Sequence, residues 1–376
     1  MRRRDENPAV AGRGRVTAGL RFRPREVTVG LDIGSAFSKA AVIDHSGDAP
    51  RLVRIAVTPN DANGEADDTP HPERAAEAVA SMFARERIEA RDVVIGVGGR
   101  DVVSKPIEVD RMAETEARAV LPWEAEQHVP FDMEGVQLDF HITDPEDDAP
   151  RMTVLLAAAR LEVIESRVSL LRQAGLHPAA VDVNAFALHN AFEVNHPDAM
   201  AGVTALVDIG TGSTTVNVLD DGLPVLTRDL RFGTGTLVRD LQRDLDLTAG
   251  EAAAVLRAEV ANAGLGDSLA GHARHIAEGI ERAARLVETQ DIGLGIARVY
   301  LCGGGAGIPG LPESIAERLG VEIHVANAVE RLRAGPEVAD YPALEEVSPM
   351  LMLAVGLALR RPSAARRPGD GRTPRP

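Results

Sequence analysis

Residues 29–43 read VGLDIGSAFSKAAVI and residues 205–219 read ALVDIGTGSTTVNVL. Asp32, Ile33 and Gly34 thus recur as Asp208, Ile209 and Gly210. In each copy an apolar, β-branched run leads into Asp-Ile-Gly, then small hydroxyl or glycine residues, then a second apolar run. That order predicts a tight β-hairpin. A duplicated hairpin predicts two similar halves whose turns can face each other. A polyphosphate between them would meet backbone N–H groups and hydroxyls from both sides, and one Asp per hairpin could hold water on a divalent cation. One copy alone reads equally well as a turn in which Gly supplies an unusual backbone angle. Two copies at matching positions favour a ligand between them.

A chain of 376 residues is too long for one ordinary core and suits roughly two to four compact units. Its hydrophobic and charged fractions, 44% and 26%, are those of a soluble globular class. Aromatic residues are only 3%, so the cores must be built from Ala, Val, Leu and Ile. The net charge of -16 opposes a general nucleic-acid binder, which needs a basic surface. Residues 1–26 and 361–376 are Arg-rich and read as disordered tails, either solvated or weakly drawn to an anionic membrane surface. The single Cys302 excludes an internal disulfide and sits in the apolar run VYLC, as a core residue would. No apolar h-region follows the Arg-rich start, and the apolar stretch Met350 to Leu359 is too short to span a bilayer. The expected compartment is the cytoplasm.

After the first hairpin the pattern predicts a polar loop around 58–72, a helix from Pro72 to Arg87 and the strand DVVIGVGG. Residues 104–178 then change character: strands KPIEV, VQLDFHIT and MTVLLAAA, an acidic helical stretch over 112–128 with a break or kink at Pro122, and a helix from Leu161 to Ala174 ended by Gly175 and Pro178. This block reads as a small α+β unit inserted into a larger one. The strand AAVDVN and helix AFALHNAF return to the first unit. Helices dominate 248–290, and a last α/β piece begins VYLCGGGAGIPGLPESIAERLG, a strand, a glycine turn and a helix from Pro312 to Gly320.

The cluster Gly303, Gly304 and Gly305 can let a flat ligand or ribose approach the backbone, or it can be a strand-to-helix turn alone. It is neither a P-loop nor a Rossmann fingerprint. Lys39, one of two lysines in the chain, stands near the first hairpin, either as a point charge for a phosphate or as a solvated strand residue. His272 and His275 lack partners for a metal set and read as a helix surface face.

The order hairpin, insert, hairpin, helical unit, strand with GGG resembles the actin-like ATPase superfamily. The strings LPWEAEQHVPFDMEGVQLDF and VLLAAARLEVIESRVSLLRQAGLHPAAVDVNAFAL resemble, more narrowly, the PilM family of type IV pilus assembly proteins, related to the division protein FtsA. The similarity covers roughly residues 27–360. It implies an α/β, actin-like (ribonuclease H-like), duplicated bilobed fold. Its parts would be a first large subdomain (27–103 with 179–201), the insert (104–178), a second large subdomain (202–245 with 297–360) and a helical subdomain (246–296).

The resemblance further implies ATP and Mg2+ in the central cleft. The first hairpin would contribute Asp32, Gly34, Ser35 and Lys39, and the second Asp208, Gly210, Thr211, Gly212, Ser213 and Thr214. Gly303, Gly304, Gly305 and Ile308 would border the adenosine, with Glu251 on the adenine side, where the expected basic neighbour reads Leu256 followed by Arg257. Asp32 and Asp208 would hold the metal through water. Many relatives carry Glu where this chain has Asn184. An amide positions water but takes no proton, which leaves Asp182 as the nearest substitute and any ATPase slow or partner-dependent.

The implied job is a scaffold at the inner face of the cytoplasmic membrane. It would bind the N-terminal cytoplasmic segment of a PilN-like membrane protein beside the insert, self-association being possible. The alternatives are an FtsA-like filament former, which the Pro-rich end RRPSAARRPGDGRTPRP opposes, and a small-molecule kinase, which would need a second pocket and a base.

Overall fold

The computed structural model describes residues 26–60, 72–143, 149–262, 264–288 and 295–361. The two expected tails and most of the loop expected over 58–72 lie outside the described residues.

The first hairpin is β1 (Val27–Ile33) with β2 (Phe37–Asp44), extended by β3 (Arg51–Pro59). Helix α1 (Pro72–Arg85) leads to β4 (Asp92–Val97), parallel to β1. Next come β5 (Val102–Asp110), α2 (Glu114–Ala125), β6 (Val136–Ile142) and β7 (Arg151–Arg160), whose strands form an antiparallel sheet of their own in the order β5-β7-β6. Helix α3 (Leu161–Gln173) then leads to β8 (His177–Val183), parallel to β4, and α4 (Asn184–Asn195) follows.

The second half starts with β9 (Val203–Ile209), β10 (Thr214–Asp220) and β11 (Leu223–Leu230), again antiparallel. Helices α5 (Thr234–Leu245), α6 (Ala249–Leu256) and α7 (Leu265–Glu288) precede β12 (Arg298–Cys302), α8 (Leu311–Leu319) and β13 (Glu322–Val325). Strand β14 (Arg333–Ala334) and helices α9 (Pro336–Ala339) and α10 (Leu344–Leu359) complete the described chain.

The two large sheets run β3-β2-β1-β4-β8 and β11-β10-β9-β12-β13, with β14 added outside β3. Each has three antiparallel strands followed by two parallel ones. The duplicated string is therefore a duplicated topology.

Helix α10 joins the halves. From Leu351 to Ala358 every residue is buried, so the apolar run too short for a bilayer is the central core helix. It lies on β1 and β2 and against α4. The approach is backbone to backbone: a Cβ on Gly30 would overlap Ala354 O, and one on Gly356 would overlap Ala187 O. Only glycine permits this. Helix α4 reaches the other way, accepting at Ala185 O from Asn217 Nδ2 (3.1 Å) and placing His189 Nε2 2.8 Å from Gly222 O.

Four expectations need correction. Leu170, Leu171, Ala174 and Leu176 share a core with Val79, Met82 and Phe83 of α1, so α3 belongs to the first half and the insert is 102–160 rather than 104–178. Residues 333–359, expected wholly in the second large subdomain, pack on the first half as well, because β14 pairs with β3 and α10 covers β1 and β2 while sharing a core with Leu206, Leu219 and Cys302. Of the break or kink expected at Pro122, the break does not occur: the helix runs on to Ala125, since Ala117, Leu121 and Ala125 are buried on one stripe across the proline. His272 is not on a surface face: it is buried against Phe232, with ring centroids 4.2 Å apart, and burial holds its pKa down at about 4.

Gly356→Ala should cost about 3 kcal/mol or more, or prevent folding, through collision with α4. Gly250→Ala in α6, where a Cβ meets nothing within 4 Å, should be neutral or stabilising by up to about 1 kcal/mol. Urea denaturation of the two variants checks the contrast.

Candidate functional site

The two hairpin turns are built alike. Gly34 N–H donates to Phe37 O at 3.0 Å, and Gly210 N–H donates to Ser213 O at 2.9 Å. A Cβ on either glycine would stand 2.9 Å from that same carbonyl oxygen, which explains why both copies need Gly. Behind each turn a buried hydroxyl ties the second strand down: Ser38 donates to Asn60 Oδ1 (2.7 Å) and Thr214 to Phe232 O (2.8 Å). Ser38 and Thr214 sit at the same register, opposite Ile33 and Ile209.

The turns approach each other. A Cβ built on Gly212 would lie 3.5 Å from Ser35 Oγ, so the tips face each other closely across the cleft between halves. Asp32 and Asp208 sit behind them at equivalent positions. Asp32 receives Lys39 Nζ at 2.8 Å, and Lys39 packs on Gly34. In the second half Thr215 stands at the register position of Lys39 and donates to Asp229 Oδ1 at 2.6 Å. Asp208 therefore has no lysine of its own. Burial lifts its pKa to about 6; the charges of Asp32 and Asp229 add to the rise and Lys39 opposes it. Burial also raises Asp229, against the bonds from Thr215 and the Gly99 N–H.

A pair of carboxylates that repel each other across a cleft fits a cation between them. Among the described residues no three His, Cys, Asp or Glu converge on a point, so such a cation would be completed by water or ligand oxygens.

The triple glycine is explained mainly by packing on the second hairpin. Gly303 has φ +80° and crowds Asp208 and Ile209, and Gly305 crowds Ile209 and Thr234. Gly304 alone leaves its face open, with Met350 Cε at 3.8 Å. Ile308 is buried in the second-half core. Thr211 accepts through its carbonyl from Gly235 N–H at 2.9 Å, which ties the turn to the start of α5; Gly212 and Ser213 are exposed. Glu251 is committed to its own helix start, accepting from Thr248 N–H and Oγ1 at 2.9 and 2.7 Å. Leu256 is buried, and Arg257 pairs with Glu259.

Asp182 is engaged at both oxygens, by Arg360 at 2.8 Å and by Val183 N–H at 2.8 Å, which leaves it poorly placed as a base. Asn184 opens α4 and packs on Gly96 and Gly98. It lines a pocket of about 20 Å3 together with Gly99, Thr215 and Asp229, room for one water. Asn184 Oδ1 is buried and takes no hydrogen bond among the described residues.

Sequence reasoning missed three participants. Asn60 donates to Gly34 O (2.7 Å) and Ser35 O (3.2 Å), bracing the first turn. Arg167 donates to Ile33 O at 2.9 Å from α3. Asp229 joins Thr215. Aligning the two DIG strings flags the Lys39/Thr215 exchange, but nothing local flags Asn60 or Arg167.

A family profile described as "Type IV pilus assembly protein PilM" matches residues 30–362. Among solved structures, the PilM-PilN type IV pilus biogenesis complex is similar at 28% identity and a TM-score of 0.75, over 89% of this chain and 98% of that one. The ethanolamine utilization protein EutJ from Carboxydothermus hydrogenoformans shares the fold at 18% identity and a TM-score of 0.52, over 90% of each chain. The architecture is the actin-like one expected.

Asp208→Asn should stabilise the ligand-free protein above pH 6. The folded-state pKa, about 6, lies above the ordinary 3.8, so the wild type loses stability as pH rises through that window, and Asn has no proton to lose. The advantage should grow between these values and level off at about 2–3 kcal/mol. Denaturation midpoints of both proteins against pH measure it.

Proposed function

Because the chain belongs to the type IV pilus assembly protein PilM family, we propose that it is a nucleotide-binding scaffold of pilus assembly that holds the cytoplasmic N-terminal segment of a PilN-like membrane protein. The observation that carries the partner reading is the likeness to the PilM-PilN complex over 89% of this chain. The segment would lie as an extended peptide between the first half and the inserted sheet, with backbone hydrogen bonds for affinity and side-chain pockets for choice. Among the described residues no helix is long and apolar enough to cross a membrane; in this reading the partner supplies membrane proximity at the inner face.

The facing hairpins support a nucleotide reading of the cleft. Mg-ATP would be held by Gly34, Ser35 and Lys39 on one side and by Thr211, Gly212 and Ser213 on the other, with Asp32 and Asp208 holding the cation through water. When bound, the cation supplies charge that favours the ionised form of Asp208. Hydrolysis is secondary to binding in this reading, since Asp182 is tied to Arg360 and Asn184 can orient a water but not deprotonate it.

Titration calorimetry should find Mg-ATP binding to the wild type and at least a tenfold loss in Asp32→Ala, roughly the worth of a charge-assisted contact. Undiminished binding would remove the cleft assignment. A synthetic peptide of the PilN-like cytoplasmic segment should protect amides on the inserted sheet and the adjoining first half from hydrogen exchange. Protection confined to the second half would overturn the proposed groove.

A further inference from the structure

Arg167 is left unused by the nucleotide contacts named so far, and its setting is unusual. It lies on α3 beside Leu170 and Leu171, which pack in the first-half core. Its side chain is half-buried and donates to Ile33 O at 2.9 Å, the carbonyl between Asp32 and the glycine turn. Burial pulls its pKa down while the charge of Asp32 pulls it up. Asp32 is already paired with Lys39, and it lies outside ion-pair distance of Arg167. The rest of the donor fork therefore has no protein acceptor among the described residues. Its open donors are available to an incoming ligand, and the group that fits a planar fork at the mouth of a phosphate-type turn is a phosphate oxygen pair.

A second fact concerns where the side chain is mounted. Arg160 ends β7, the central strand of the inserted sheet, and Leu161 begins α3 with no intervening loop. A pull on Arg167 is thus delivered directly to the inserted sheet. Lys39, by contrast, sits within the first-half sheet itself.

We propose that Arg167 binds the terminal phosphate of a nucleoside triphosphate in the cleft and, through α3, makes the inserted sheet responsive to which nucleotide is bound. It is a ligand-binding and positioning residue, with no proton or bond to move. The proposal rests on the nucleotide and partner readings of the cleft and groove and adds the element that connects them.

The test uses the full chain with Mg-AMPPNP, Mg-ADP and the PilN-like peptide, in the wild type, Arg167→Gln and Arg167→Lys. Arg167→Gln should weaken Mg-AMPPNP by about tenfold to a hundredfold, as loss of a charge-assisted fork does, and Mg-ADP much less. Arg167→Lys, which keeps the charge and loses the fork, should recover part of the affinity. In the wild type the peptide should bind differently with Mg-AMPPNP than with Mg-ADP, and in both variants that difference should vanish while peptide affinity without nucleotide is retained.

Mg-AMPPNP binding within about twofold of wild type in Arg167→Gln, or in Arg167→Lys should the Gln variant not fold, overturns the phosphate contact. A wild type whose peptide affinity ignores the nucleotide overturns the relay. These failures leave the cleft assignment standing. A wild type that binds neither nucleotide removes the cleft assignment, and this inference with it.

Discussion

The contact on which the molecule depends is the one between α10, β1 and α4, where Gly30 and Gly356 let backbone touch backbone. Its strength is not in hydrogen bonds but in the area it buries: an apolar helix enclosed along its length, at roughly 25 cal/mol per Å2. Its geometry matters more. With no side chain between helix and strand, α10 cannot slide on β1 or α4 without opening the core, since close-packed interiors resist small displacements.

At the tips the two halves are alike in backbone and unlike in charge. The first turn has Lys39 on Asp32, Arg167 nearby and Asn60 bracing the loop. The second has Thr215 in place of the lysine, with its hydroxyl directed to another carboxylate. The duplication thus became polar, a cationic wall facing an anionic one. The cost falls on Asp208, whose pKa burial and the neighbouring carboxylates lift to about 6. Stored repulsion of this kind is common where binding, rather than packing, sets the residue.

Much of the architecture was legible because it is written locally. The DIG strings marked both hairpins to within two residues, Gly320 ended α8 in a left-handed conformation as its position implied, and the apolar runs of the insert marked its strands. Allegiance was harder to read. The pattern from Leu161 to Ala174 shows an amphipathic helix but not which sheet covers it, and the apolar face of α10 fits either half. Pro122 misled because the missing hydrogen bond is outweighed by the stripe of burial across it. Within the site, the carboxylates and glycines were visible as repeats. Asn60 and Arg167 were not, since each acts on a turn far away in the chain and neither lies in a periodic pattern of its own.

The placement of α10 also has a consequence for how the protein is made. Strands β1 and β2 are among the first described elements to be synthesised, yet the helix that covers them is the last, and β14 pairs with β3 only after both halves have appeared. The earliest sheet must wait, its apolar face uncovered, for nearly the whole chain to leave the ribosome. Long-range closure of this kind slows folding and exposes intermediates to aggregation. The amino-terminal half is thus the last to be finished.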